Sequence, residues 1–210
     1  MTGGARYRLY ARPGAGSLAP QILLEEIGAP YELIWIGKDP TVLEKYRRIN
    51  PTGKIPSLVL PDGTAIAESA AILIHLTEAH PEAELAPPPG SSAHGRFLQW
   101  MVFLSANVYE AALRYFYAER YAAAGSGATT AVKAQALADY GRHLEFIGGL
   151  LSPYVLGAKL TAADPYLHML AGWYPGGESG VRIPKLAQHA ELLRRRPATR
   201  RAESDHAENQ

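Results

Sequence analysis

Pro56 and the pair Glu68-Ser69 are the residues of this chain whose types and spacing could do chemistry together. Pro56 stands at the entrance of a short apolar run, Ser57 to Leu60, where a proline removes a ladder donor and is able to take the cis form. The peptide groups of Ile55 are then left unpaired by a sheet and open to an extended peptide ligand. Glu68-Ser69 opens a helical pattern, so free amides and the positive end of the helix dipole face whatever lies before them, a place for a ligand carboxylate. Each feature taken alone has an ordinary alternative: Ser69 as a plain N-cap, Pro56 as an edge or turn proline.

The elements that must position these residues follow from local pattern. Asn50-Pro51-Thr52-Gly53 is dense in turn formers, and Pro61-Asp62-Gly63 is hairpin chemistry between Ser57–Leu60 and Ala65–Ala67. Upstream, Tyr7 to Tyr10 reads as a strand broken by Arg12-Pro13-Gly14-Ala15-Gly16. Ser17 then begins an amphipathic helix with Leu18, Ile22, Leu23 and Ile27 on one face and Gly28 as C-cap. Tyr31 to Ile36 reads as a second strand and Val42 to Ile49 as helical. The order strand, helix, strand, helix, strand, strand, helix is α/β and thioredoxin-like.

Ile-Pro about a dozen residues before Glu-Ser, with the Pro-Asp-Gly turn between, resembles the glutathione S-transferase superfamily. There a cis proline of a thioredoxin-like domain, and an acidic or amide residue followed by Ser, bind glutathione. YRLYARPGAGSLAPQILLEEIG is similar to the opening of the bacterial beta class, matching its pattern at Pro13, Gly14, Ala15, Ser17 and Leu18. Gly16 occupies the place of the beta-class cysteine, and the chain has no cysteine at all, so a mixed disulfide with glutathione is out of reach. The resemblance implies that Lys54 and Ile55 contact the peptide portion of glutathione, that Glu68 and Ser69 hold its γ-glutamyl end, and that Lys38 meets the glycine carboxylate. The ordinary alternative for Lys38 is a solvated loop lysine.

What replaces the cysteine is a question of magnitude. Lowering a thiol from about 8.5 to about 6.5 takes roughly 2.7 kcal/mol of preferential thiolate stabilisation. A charge-assisted hydrogen bond supplies about 1.5–3 kcal/mol and a helix N-terminus about 0.3–1 kcal/mol, so one hydroxyl plus the amides of the turn suffice. Ser17, at the helix head, is the first choice for that hydroxyl, against a plain N-cap role. Tyr10 is the second, because several animal classes place an activating tyrosine near the end of this strand; it reads equally as a buried strand aromatic.

Prolines and serines between His80 and Ala93 mark a linker, and the pattern beyond it is helical. Phe97, Trp100, Met101, Leu104, Val108, Ala111, Ala112 and Tyr115 form one apolar face, and a second helix is expected over roughly Ala131 to Leu151. Leu156-Gly157 and Leu160 to Asp164 resemble the folding motif of the transferase helical domain, with Thr161 and Asp164 at capping-box spacing. The expected organisation is a thioredoxin-like domain over 1–82, a linker over 83–94, an all-helical domain over 95–197 and a disordered polar tail over 198–210.

Composition sets the outer bounds. Hydrophobic residues make up 47% of the chain, ample for a core, and 21 basic residues against 20 acidic ones offer no nucleic-acid surface. The seven histidines stand singly, so no metal site is expected. The N-terminus lacks a signal-like apolar core and no run reaches membrane-spanning length, so a cytoplasmic protein with no membrane partner is expected. The resemblance implies a homodimer that conjugates glutathione thiolate to a small hydrophobic electrophile, as in detoxification. Glutathione-dependent reduction of a disulfide or peroxide, and a non-catalytic interaction role, are the alternatives.

Overall fold

The computed structural model describes residues 6–175 and 184–209. The first five residues, read above for a signal core, residues 176–183 of the expected helical domain, and Gln210 lie outside them. The chain separates into two compact units, one of residues 1–86 with 194–210 and one of residues 87–193.

The first unit is built on a four-stranded sheet. Strand β1 (Tyr7–Ala11) alternates as expected, with Tyr7, Leu9 and Ala11 buried and Arg8 exposed. It pairs in parallel with β2 (Tyr31–Trp35), and a parallel pair needs a crossover, supplied by helix α1 (Leu18–Ile27). Ile22, Leu23 and Leu24 of α1 are fully buried, and the helix ends at Gly28, whose φ of 71° suits a residue without a Cβ. Helix α2 (Pro40–Arg47) follows, capped by the Asp39 side chain on the Thr41 amide at 2.7 Å.

Strands β3 (Ser57–Val59) and β4 (Ala65–Ala67) form the hairpin read from the Pro-Asp-Gly turn, with Gly63 at φ +91° and its amide on the Leu60 carbonyl. The sheet order is β2-β1-β3-β4, with β3 antiparallel to both neighbours. Helix α3 (Ser69–Ala79) buries Ile72, Leu73 and Leu76 and closes the unit in the thioredoxin-like order.

The polar C-terminus departs from the expected disordered tail over 198–210: helix α9 (Pro197–Glu208) packs on α1 within the first unit. Its composition is polar, but Ala198, Ala202 and His206 recur every fourth residue and are buried, a narrow stripe that small side chains allow to lie close. Arg196 grips Glu26 through two nitrogens, Arg201 donates to Glu25 at 2.8 Å, and Gln21 donates to Asp205 at 2.6 Å. The His206 ring stands edge-on to Trp35 at 5.1 Å between centroids. Burial lowers its pKa to about 4, so it is neutral at pH 7.

In the second unit a continuous helical run comprises α4 (Ser92–Phe103), a π-helical stretch (Leu104–Tyr109) and α5 (Glu110–Phe116). It packs with α6 (Thr129–Leu150) and α7 (Ala163–Gly172), and α8 (Pro184–Arg194) completes the described helices. The apolar face from Phe97 to Ala112 is this unit's own core: Phe97, Met101, Leu104, Val108 and Ala111 have no solvent exposure. Tyr109, half-buried, turns edge-on to Trp173 at 5.3 Å between ring centroids.

Thr161 and Asp164 form half of a capping box. The Asp164 carboxylate accepts the Thr161 amide at 2.7 Å, but the Thr161 hydroxyl donates to that carboxylate at 3.1 Å in place of accepting an amide. The other carboxylate oxygen takes the Val155 amide at 2.8 Å and His189 Nε2 at 3.0 Å. This ties α8 and the preceding loop to the start of α7. Among the described residues no helix is long and apolar enough to cross a membrane.

Candidate functional site

Sheet topology brings four chain segments to one end of the first unit. β1 and β2 finish there, β3 begins there after running antiparallel, and β4 finishes there into α3. Along that end, following the strand order, lie Ile36 and then Lys38 after β2, Arg12 to Ser17 after β1, Ile55-Pro56 before β3, and Glu68-Ser69 after β4. The residues singled out from sequence are therefore neighbours along one sheet end.

The loop before β3 spends its polar groups on itself until it reaches Ile55. Asn50, buried, accepts the Thr52 amide and hydroxyl and donates to the Lys54 carbonyl at 2.8 Å; Tyr46 donates to the same carbonyl at 2.5 Å. Ser57 Oγ lies 2.7 Å from the Tyr46 hydroxyl. Burial raises the Tyr46 pKa, which keeps the phenol a neutral donor. Ile55-Pro56 is cis, and neither the N–H nor the C=O of Ile55 has a partner among the described residues. Backbone groups in folded chains are nearly all paired, so the unpaired Ile55 peptide is one that a ligand backbone could use.

The two helix heads carry further backbone donors without partners among the described residues. At α3, Glu68 holds φ 68° and ψ 116°, a conformation side chains rarely adopt, and turns the chain so that the amides of Ser69, Ala70 and Ala71 have no partner among the described residues. At α1 the amides of Gly16, Ser17 and Ala19 are likewise unclaimed. Ser69 Oγ donates to the Gly16 carbonyl at 3.4 Å, joining one head to the other. These six amides and two positive dipole ends offer donors of the kind that suit an anion.

Ser17 stands differently from its expected role. Its hydroxyl is fully buried, accepts the Arg12 amide at 3.2 Å and donates its one proton to the Arg12 carbonyl at 3.2 Å. The ordinary N-cap role fails too: Ser17 is already helical at φ −79° and ψ −16°, and its side chain makes no capping bond. Tyr10 is half-buried with its ring 5.5 Å from that of Tyr46. Lys38 and Lys54 are exposed, and neither ammonium has a partner among the described residues.

Sequence reasoning missed Tyr46 and Asn50, which hold the Ile55 loop from behind, and Arg12. Arg12 Nε donates to the Ile36 carbonyl at 3.2 Å, and the guanidinium acts electrostatically on Tyr46. Asn50 bonds within its own loop, whereas the partners of Tyr46 and Arg12 lie 8 to 24 residues away, beyond the reach of a spacing rule.

Comparisons with known proteins point to one family. The family model described as "Glutathione S-transferase, N-terminal domain" matches residues 17–79. The glutathione S-transferase GstA of Escherichia coli O157:H7 is 26% identical over 171 residues, covering 79% of this chain and 81% of that protein. A sphingomonad glutathione S-transferase complexed with glutathione superposes with a TM-score of 0.79 at 30% identity, covering 95% of this chain and 98% of that one. A Sulfitobacter glutathione transferase homologue with bound glutathione gives a TM-score of 0.86 at 27% identity, over 96% and 98% of the two chains.

Proposed function

The chain belongs to the glutathione S-transferase superfamily, and from that premise we propose that it transfers the glutathione thiolate to a small hydrophobic electrophile. The observation that carries the reading is the pair of helix heads and the unpaired Ile55 peptide on one sheet end: three sets of free backbone groups for a peptide with acidic ends. The γ-glutamyl carboxylate lies on the α3 amides beside Ser69 and Glu68, the cysteinyl backbone pairs with Ile55, and the sulfur lies at the head of α1. Gly16 offers no side chain and the Ser17 hydroxyl is occupied, so the amides of Gly16 and Ser17 hold the thiolate, with the Tyr10 phenol as the alternative donor.

Calorimetry with glutathione, together with turnover of a chlorodinitrobenzene electrophile, tests this. Ser69→Ala is expected to weaken glutathione about five- to tenfold, the value of roughly 1 kcal/mol for a hydroxyl that leaves a long bond to Gly16 for a charged ligand. Unchanged affinity in that variant would remove Ser69 from the site.

The protein acts as a homodimer. We assign the interface to exposed Phe146 and Leu150 on α6, one helical turn apart with Phe146 set against Phe103 at 5.6 Å, because most of the apolar face from Phe97 to Ala112 is already core. Light scattering should give twice the 22.7 kDa chain mass, and Phe146→Glu should shift it toward the monomer. A wild-type monomer at micromolar concentration rejects the dimer.

A further inference from the structure

We propose that Arg12, rather than Lys38, recognises the terminal carboxylate of the glutathione glycine. The inference rests on the glutathione reading above and deepens it at one end of the ligand. A peptide anchored by its γ-glutamyl group at the head of α3 and by its middle residue on Ile55 must send its third residue further along the same sheet end. The strand order β2-β1-β3-β4 makes the next segment the one after β1, which begins with Arg12. The antiparallel register says the same: Tyr10 pairs with Ser57, so counting on along both strands sets Arg12 level with Ile55.

Arg12 is held in place before any ligand arrives. Its amide and carbonyl both bond the Ser17 hydroxyl, its carbonyl also takes the Ala15 amide at 3.1 Å, and its Nε is fixed on the Ile36 carbonyl at 3.2 Å. Fixing Nε leaves the two terminal nitrogens as an unpaired planar fork, for no carboxylate among the described residues pairs with Arg12. Such a fork matches a carboxylate through two parallel bonds, and little side-chain entropy remains to be lost. Arg12 is half-buried, whereas Lys38 is exposed and its ammonium has no partner among the described residues, and an exposed flexible cation contributes little. The face agrees as well: Arg12 continues the alternation of Tyr10, whose ring meets Tyr46 of α2, and its charge acts on Tyr46.

The test compares glutathione with its glycine ethyl ester, in which a neutral ester replaces the carboxylate at that end, by calorimetry on the intact protein. Wild type should prefer the acid by about tenfold or more, the value of one charge-assisted contact. Arg12→Gln should bind the two within about twofold of each other, Arg12→Lys should recover part of the preference, and Lys38→Ala should keep it. A general loss of structure weakens acid and ester alike and leaves their ratio standing, so the ratio reports the contact itself. Undiminished preference in Arg12→Gln, or its loss in Lys38→Ala, overturns the assignment. So does a raised thiol pKa in Arg12→Gln with the preference intact, because the guanidinium would then serve the sulfur. If wild type binds both ligands equally, this inference alone falls; if it binds neither, the glutathione reading falls with it.

Discussion

Asp164→Ala is expected to lower the stability of the helical unit by about 3–5 kcal/mol, the range for removing one partner of a buried charged network. The carboxylate has no solvent exposure and accepts four hydrogen bonds, two from the backbone amides of Val155 and Thr161, one from the Thr161 hydroxyl and one from His189. The isosteric Asp164→Asn separates charge from geometry. The Thr161 hydroxyl can rotate to accept, and His189 can change tautomer, but neither backbone amide can reverse. The asparagine NH2 must therefore face an N–H on one side, and the loss should be about 2–3 kcal/mol. Urea unfolding reads both values as shifted midpoints at constant slope. An asparagine variant as stable as wild type would mean that the carboxylate only fills space.

That network shows how far residue types carried the reading. Thr161 and Asp164 announce themselves by spacing, and the start of α7 follows; His189 stands 25 residues further on, and no local rule couples it to Asp164. The same division runs through the first unit. Turn chemistry at Pro61-Asp62-Gly63, the alternation in β1 and the 3.6-residue pattern of α1 are local, so the element order was legible. The packing of α9 was not, because a polar average over its residues hides the buried stripe of Ala198, Ala202 and His206.

Candidate site residues divide by whether backbone or side chain does the work. Ile55, Pro56 and Glu68-Ser69 could be read from sequence because proline, turns and helix starts dictate which backbone groups remain free. Ser17 could not: which atom a hydroxyl bonds depends on the path of the chain, and here the turn folds Arg12 back onto it. Arg12 was hidden for the converse reason, its orientation being set by Ile36 across a parallel strand pair. A residue type thus specified chemistry only where the backbone already specified direction.

Ser17 accordingly permits a separation of hydroxyl from amide in thiolate stabilisation, and the two substitutions should differ by about ten- to a hundredfold in turnover. Ser17→Ala removes the brace on Arg12 and leaves a backbone N–H without its partner, so stability should fall by about 1–3 kcal/mol. Turnover should nevertheless stay within about threefold of wild type, with the thiol pKa unmoved, because the amide remains. Ser17→Pro removes the amide too. The φ of −79° lies within reach of a proline ring, and the start of a helix tolerates one. Losing one amide from the thiolate, worth about 1.5–3 kcal/mol, should raise the bound thiol pKa by about one to two units and depress turnover on the acid side of that pKa. The pH profile with a model electrophile separates the alternatives. A full loss already present in the alanine variant returns the role to the hydroxyl, and near-wild-type rates in both variants transfer it to Tyr10, whose phenylalanine variant must then carry the defect.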